Sequence, residues 1–218
     1  MTSCHRHQQD SVKSALEILP EKFVLCPSFT TSVTHVVSGE PRRTLNLLRG
    51  IVAGCWVVSF EWIVESLAAG RWLEEEDFEC AKDFPTCQIT RLNPELTNAL
   101  FESESSQQKS QPGGDDCDHV PSTATFSRIL VDKECFPPRS EVSALILGCG
   151  GTLTNCLRNA DLVITSKSSV NASRKGVVVV NPTWVLDSIT NFQRMPFLEY
   201  LVPQDDDGSS EDGMSQEY

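Results

Sequence analysis

Apolar positions along this chain fall into short runs of two kinds. Thr34-His35-Val36-Val37, Cys55-Trp56-Val57-Val58 and Val177-Val178-Val179-Val180 are brief and rich in β-branched residues. Such runs, bounded by polar or small residues, predict buried strands. Asp161 to Thr165 and Thr125 to Val131 read the same way. Between them, Asp10–Leu19, Ser59–Leu67, Ser140–Leu147 and Asn181–Ile189 space their apolar residues three and four apart, which predicts amphipathic helices. Ser59 and Asn181 stand where N-caps belong. Short strands alternating with helices imply a small parallel sheet flanked by helices.

The pattern occurs twice. Trp62 and Trp184 lie 122 residues apart, each three residues after its candidate cap and each followed one turn later by Ser66 or Ser188. A polar stretch separates the halves. Arg91 to Leu100 reads as a short helix with Asn93 as N-cap and Pro94 at its first position. The Ser/Gln/Gly/Asp-rich centre, Glu102 to Asp118, reads as disordered. The expected division is a repeat at 1–86, a partly disordered acidic linker at 87–123, a repeat at 124–203 and a disordered acidic tail at 204–218. The second repeat opens with the apolar strand Thr125–Val131, whereas the first opens only with Met1-Thr2-Ser3. The expectation is therefore a first repeat lacking most of its opening strand, as a fragment or an incomplete gene product would.

Charge sharpens this division. The 218 residues carry a net charge of −12. Residues 102–122 hold five acids and one base, and residues 204–218 hold six acids and no base, so the remainder is close to neutral. A near-neutral folded part argues against a DNA-binding surface, which needs a basic patch. No apolar run approaches the length of a membrane span. The nine cysteines are odd in number and form no Cys-x-x-Cys pair. Cys26 and Cys55 sit in apolar runs and read as reduced, buried thiols, which points to the cytosol or nucleus.

Two sets of residues resemble a known family. One is Thr34-His35-Val36-Val37, Arg43-Thr44-Leu45, Gly50-Ile51, Gly54 and Trp56-Val57-Val58-Ser59-x-x-Trp62. The other is Cys149-Gly150-Gly151, Ala160-Asp161-Leu162-Val163-Ile164 and Trp184-Val185-Leu186-Asp187-Ser188. Each resembles a BRCT repeat, and the pair resembles a tandem BRCT module over residues 1–86 and 124–203. The resemblance implies an α/β fold of two repeats, each a small parallel four-stranded sheet flanked by helices, packed through helices. It also implies binding of phosphoserine peptides, the phosphate in the first repeat and the residue three places downstream, the +3 residue, in the groove between repeats.

The family's phosphate-binding positions fall on Thr2, Ser3, Thr44 and Asn46. Hydroxyls and fixed N–H groups suit a dianionic phosphate. The family commonly places a lysine where Asn46 stands; an amide donates but carries no charge, and Arg42 or Arg43 is the nearby substitute. The family's +3 reader falls on Arg43, whose guanidinium forks onto a carboxylate. Its pocket maps to Leu48, Phe136, Pro137 and Leu186, a shallow slot suited to a flat aromatic such as Tyr. Plainer readings stand beside these: a frayed terminus for Thr2 and Ser3, a simple helix start for Asn46, a solvated arginine for Arg43, and ordinary inter-repeat packing for the four pocket residues.

The chain ends Ser215-Gln216-Glu217-Tyr218. Ser-Gln is the site type of DNA-damage kinases, and this ending resembles the phosphorylated tail of a variant core histone. The resemblance thus implies phosphorylated histone tails, or other phosphoserine proteins, as partners, and nuclear or centrosomal placement. It makes Ser215 a candidate phosphorylation site and self-association through the Ser215 tail an expectation. The plainer alternative is an acidic tail of no consequence. No cofactor, metal, direct DNA contact or membrane is expected. Cys4, His5 and His7 lack a second ligand pair, Gly148-Cys149-Gly150-Gly151-Thr152 lacks the lysine of a phosphate-cradling loop, and no catalytic constellation stands out. The other function class is a scaffold that uses the inter-repeat surface without phosphate.

Overall fold

A computed structural model describes residues 1–20, 23–102, 127–168 and 177–203. The expected disorder of the linker centre and of the tail, with Ser215, lies outside the described residues. The first half runs α1 (Arg6–Ile18), β1 (His35–Ser38), α2 (Leu45–Val52), β2 (Trp56–Ser59) and α3 (Glu61–Ala69). Two short helices follow, α4 (Thr86–Leu92) and α5 (Pro94–Ala99). The second half runs β3 (Ile129–Val131), α6 (Arg139–Gly148), β4 (Leu162–Ile164), β5 (Val178–Val180) and α7 (Thr183–Thr190).

Both sheets are parallel. In the first, β1 pairs with β2 from His35↔Trp56 to Ser38↔Ser59. A single-residue parallel bridge from Thr2 to Ser38 adds a third position. The second sheet has the order β3-β4-β5, and a parallel bridge from Leu153 to Ile129 brings it to four positions. Each sheet also takes one antiparallel bridge after its last helix, Glu79 to Val58 and Leu201 to Val180.

The strands read as continuous apolar runs because both faces are covered, as parallel sheets require. Val36 and Val57 point into one core and Val37 and Val58 into another. In the second half Ile129, Val131, Leu162, Ile164 and Val180 take the first core, while Val163 and Val179 face a third cluster. The two halves share a single core. Leu47, Leu48 and Ile51 of α2 pack in one cluster with Val142, Leu145 and Ile146 of α6 and Trp184, Val185 and Ile189 of α7.

The internal repeat extends to hydrogen bonds. Trp62 Nε1 donates to Leu73 O at 2.8 Å, and Trp184 Nε1 to Met195 O at 2.7 Å. Ser66 Oγ accepts from Leu73 N, and Ser188 Oγ from Met195 N. Both serines are fully buried, so each hydroxyl satisfies an amide that would otherwise be stranded.

Two sequence readings need correction. Ser59 does not cap α3: it is the last residue of β2 and pairs with Ser38, and the cap position falls on Phe60 with no side-chain bond. The cap position of α7 likewise falls one residue later, on Pro182, although Asn181 Oδ1 accepts from Thr183 N at 3.0 Å. Cys26 is exposed, as is Val24, because the run Phe23–Cys26 joins no strand among the described residues. Among the described residues, Cys55, Cys87, Cys135 and Cys149 are the buried thiols.

The start of the linker is built into the fold. Cys87 and Phe101 lie in the shared core, and Thr86 Oγ1 donates to Thr190 O at 2.5 Å. Phe101 N donates to Cys149 O at 2.8 Å in the glycine-rich turn after α6. That turn demands glycine: Gly150 has φ +80°, and a Cβ there would lie 1.5 Å from Asn98 O. No helix among the described residues is long and apolar enough to cross a membrane.

Candidate functional site

The site begins where the first sheet meets α2. Thr2 N donates to Val37 O and Gly39 N to Thr2 O, so the backbone of Thr2 is locked to the edge of β1. Its side chain is buried, and Thr2 Oγ1 lies 2.5 Å from Thr44 Oγ1. Thr44 is extended (φ −98°, ψ 163°) and caps α2, its hydroxyl accepting from Leu47 N at 3.2 Å. Burial of Leu47, Leu48 and Ile51 fixes the start of that helix against the second half. Two hydroxyls therefore meet at a helix N-terminus, where the helix dipole favours an anion.

Ser3, next to Thr2, has φ +47°, an unusual left-handed conformation for a residue with a Cβ. Two basic side chains engage Glu40 near this corner. Arg42 Nε is 2.8 Å from Glu40 Oε2, and His5 Nε2 is 3.0 Å from Glu40 Oε1. Asn46 is held from its own helix, its Oδ1 accepting from Arg49 Nη1 at 3.3 Å.

The side facing the second half is set by Arg43, the residue before the cap. Its Nη1 donates to Asp187 Oδ1 on α7, linking the two halves. The other carboxylate oxygen, Asp187 Oδ2, accepts from Tyr200 Oη at 2.8 Å. Burial, the Asp187 hydrogen bond and that residue's charge push the Tyr200 hydroxyl up to about 12, so it stays a donor. A second ion pair, Arg49 with Glu141 on α6, crosses the same interface.

The four pocket candidates are placed differently. Leu48 is buried in the shared core, and Leu186 is half-buried against it beside Asp187. Phe136 is 80% exposed, and its N–H donates to Ser166 Oγ at 2.7 Å. Pro137 follows it through a cis peptide bond and is half-buried. Thr2 and Thr44 are thus brought together, and Arg43 is joined to the helix that carries Leu186. The roles of Asp187, Tyr200 and Glu141 had no sequence signal, because each acts on a partner outside its own element.

The second half carries the matching corner with different chemistry. Asp132 N donates to Ile164 O as Thr2 N does to Val37 O. The residue is an acid, however, and Asp132 Oδ2 accepts from Thr165 Oγ1 at 3.1 Å with Lys167 Nζ at 3.6 Å. Burial alone would raise this carboxyl. The amide of Glu134, the Thr165 hydroxyl and Lys167 outweigh it and hold the carboxyl below its ordinary value. The second corner is therefore filled by the chain's own anion.

Elsewhere, His35 Nε2 lies 2.9 Å from Glu75 Oε1 and its ring stacks on Trp62, a structural arrangement.

Family models match both halves of the chain. A BRCT domain family model matches residues 125–201, and the BRCA1 C Terminus (BRCT) domain model matches residues 24–67. Microcephalin of Colobus guereza is 32% identical over 204 residues, covering 94% of this chain and 22% of the relative. Microcephalin of Homo sapiens is 31% identical with the same coverage. The chain thus spans about a fifth of the length of these curated relatives. Among solved structures, the S. pombe Brc1 BRCT5-BRCT6 domains show 15% identity and a TM-score of 0.48, over 83% of this chain and 86% of that one.

Proposed function

We take as premise that this chain belongs to the BRCT family, as a tandem pair similar to that of microcephalin, and we propose that it binds phosphoserine peptides. The phosphate is received by the first repeat and the +3 residue by the groove between repeats. The observation that carries this reading is the Thr2–Thr44 hydroxyl pair at the start of α2, one residue from Arg43. Hydroxyls and the N–H of Ser3 donate to phosphate oxygens, and the helix dipole favours their charge. Arg43, on the groove side, takes the backbone or terminal carboxylate of the +3 residue. The preferred ligand is a phosphorylated Ser-Gln-Glu-Tyr tail of the variant core-histone type, in a nuclear DNA-damage setting. The chain's own Ser215 tail offers the same sequence, so phosphorylated Ser215 is a competing ligand in cis or between chains. The module binds and does not catalyse.

A second reading, phosphate-independent scaffolding through the inter-repeat surface, is favoured by one observation. Asn46 is uncharged and bonded to Arg49, and Arg42 is engaged by Glu40, so donors alone meet the phosphate unless Arg42 leaves Glu40. Calorimetric titration of Ser-Gln-Glu-Tyr peptides with and without phosphate, against wild type and Arg43→Ala, separates the readings. Phosphate-dependent binding weakened by Arg43→Ala supports the first; equal affinity for both peptides establishes the second. Size-exclusion of Ser215-phosphorylated chain beside Ser215→Ala tests self-association, and identical profiles refute it.

A further inference from the structure

Asp187 has two oxygens and two partners on different elements. Oδ1 takes Arg43 Nη1, and Oδ2 takes the Tyr200 hydroxyl at 2.8 Å. Arg43 and Asp187 are partly open to solvent, whereas Tyr200 is buried. A carboxylate beside an arginine ordinarily engages it through both oxygens, fork to fork. Here Tyr200 occupies one of them. The guanidinium is anchored by one N–H and keeps the others for a ligand.

We propose that Tyr200 is a positioning residue that rations Asp187 to a single contact with Arg43, and so sets the preference of the groove for a ligand's free carboxylate. This rests on the phosphopeptide reading above and adds a specificity-determining residue to it. The internal repeat supports the assignment. The residue 122 positions earlier is Phe78, packed against the first repeat's core, and the counterpart of Asp187 is the exposed Glu65. The fold needs only the ring at this position. The hydroxyl is present where a carboxylate meets an arginine of the other repeat, and absent at the counterpart position.

The test uses the full chain as wild type, Tyr200→Phe, Asp187→Asn and the double variant. Fluorescence anisotropy reads their affinities for phosphorylated Ser-Gln-Glu-Tyr as free acid and as carboxamide. Wild type should prefer the free acid by about tenfold, the value of one charge-assisted contact. Tyr200→Phe frees Asp187 Oδ2 to chelate Arg43, so the preference should fall towards one while carboxamide affinity holds. Adding Asp187→Asn removes the chelator and should restore most of the preference. A purely structural hydroxyl would leave the double variant no better than Tyr200→Phe, and that result overturns the proposal. So does an unchanged preference in Tyr200→Phe, or a wild type that binds the phosphopeptide without preferring the free acid. If wild type ignores the phosphate altogether, the phosphopeptide reading itself fails and this proposal fails with it.

Discussion

Replacing Thr44 with Val separates the two tasks of one hydroxyl. The side chain keeps its shape, but two hydrogen bonds disappear: the cap to Leu47 N at 3.2 Å and the contact with Thr2 Oγ1 at 2.5 Å. Loss of an N-cap oxygen costs about 1 kcal/mol. The Thr2–Thr44 bond is worth about as much again, and more if the buried Thr2 hydroxyl is left without a partner. The expected loss is about 2 kcal/mol, which for a domain of this size lowers Tm by roughly 4–8 °C. Urea unfolding of Thr44→Val, Thr2→Ala and the double variant apportions it. Thr2→Ala keeps the cap and removes the pair, so the cycle should show a coupling of about 1 kcal/mol between the two sites. Binding gives the second axis. With Thr2 unanchored, the ratio of phosphorylated to unphosphorylated peptide affinity should fall about tenfold, while unphosphorylated affinity is unchanged. Thr44→Ser, which retains the oxygen, should approach wild type on both axes. A coupling near zero, with an unchanged phosphate ratio, would refute the reasoning and leave Thr44 a cap and nothing more.

Three further outcomes follow from the geometry. Gly150→Ala should destabilise the protein by more than about 1 kcal/mol in urea unfolding, since it forces a left-handed residue into Asn98 O. Asp132, whose carboxyl is held below its ordinary 3.8, contributes stability that is full above that value and is lost as pH falls through the folded-state value. Asp132→Asn should therefore flatten the acid limb of a stability–pH curve below about pH 4 without changing its slope near neutrality. Among the described cysteines, exposed Cys26 and Cys156 should react with a thiol reagent in the native state. Buried Cys55, Cys87, Cys135 and Cys149, with thiols raised by desolvation, should react only on unfolding.

Much of the fold was legible because a doubly covered parallel sheet writes itself as short β-branched runs. The observed strands fall within or at the edges of those runs, and the 122-residue offset carried over from Trp62 and Trp184 to their hydrogen bonds. Errors came where one local pattern has two solutions. Ser59 precedes a helix as a cap does, but the ladder to Ser38 claimed its backbone first. Phe23–Cys26 has a strand's composition but no paired strand among the described residues, so its cysteine is open. The hydroxyl positions followed from the family resemblance. The Arg43–Asp187–Tyr200 array did not, since it joins residues 144 and 13 apart with no periodic signal.

The two repeats share a scaffold and diverge at the positions that would matter for a ligand. Thr2 becomes Asp132, so the corner that offers hydroxyls in one repeat holds a carboxylate, with its own hydroxyl and lysine partners, in the other. An anion drawn to the first corner would meet like charge at the second. Glu65 and Phe78 become Asp187 and Tyr200, which places a hydrogen-bonded carboxylate against the first repeat's Arg43. On the proposed reading, the first repeat supplies the phosphate donors and the second orients the arginine beside them. The interface that joins them, α2 against α6 and α7, is then part of the site as well as part of the core. An interface substitution such as Leu48→Ala should consequently cost binding as well as about 2–5 kcal/mol of stability. Stability and phosphopeptide affinity falling together, with the affinity recovered when low temperature restores the folded population, would show that the core acts only through folding. Affinity that stays low in the fully folded variant would show that the register of the two repeats is itself read by the ligand.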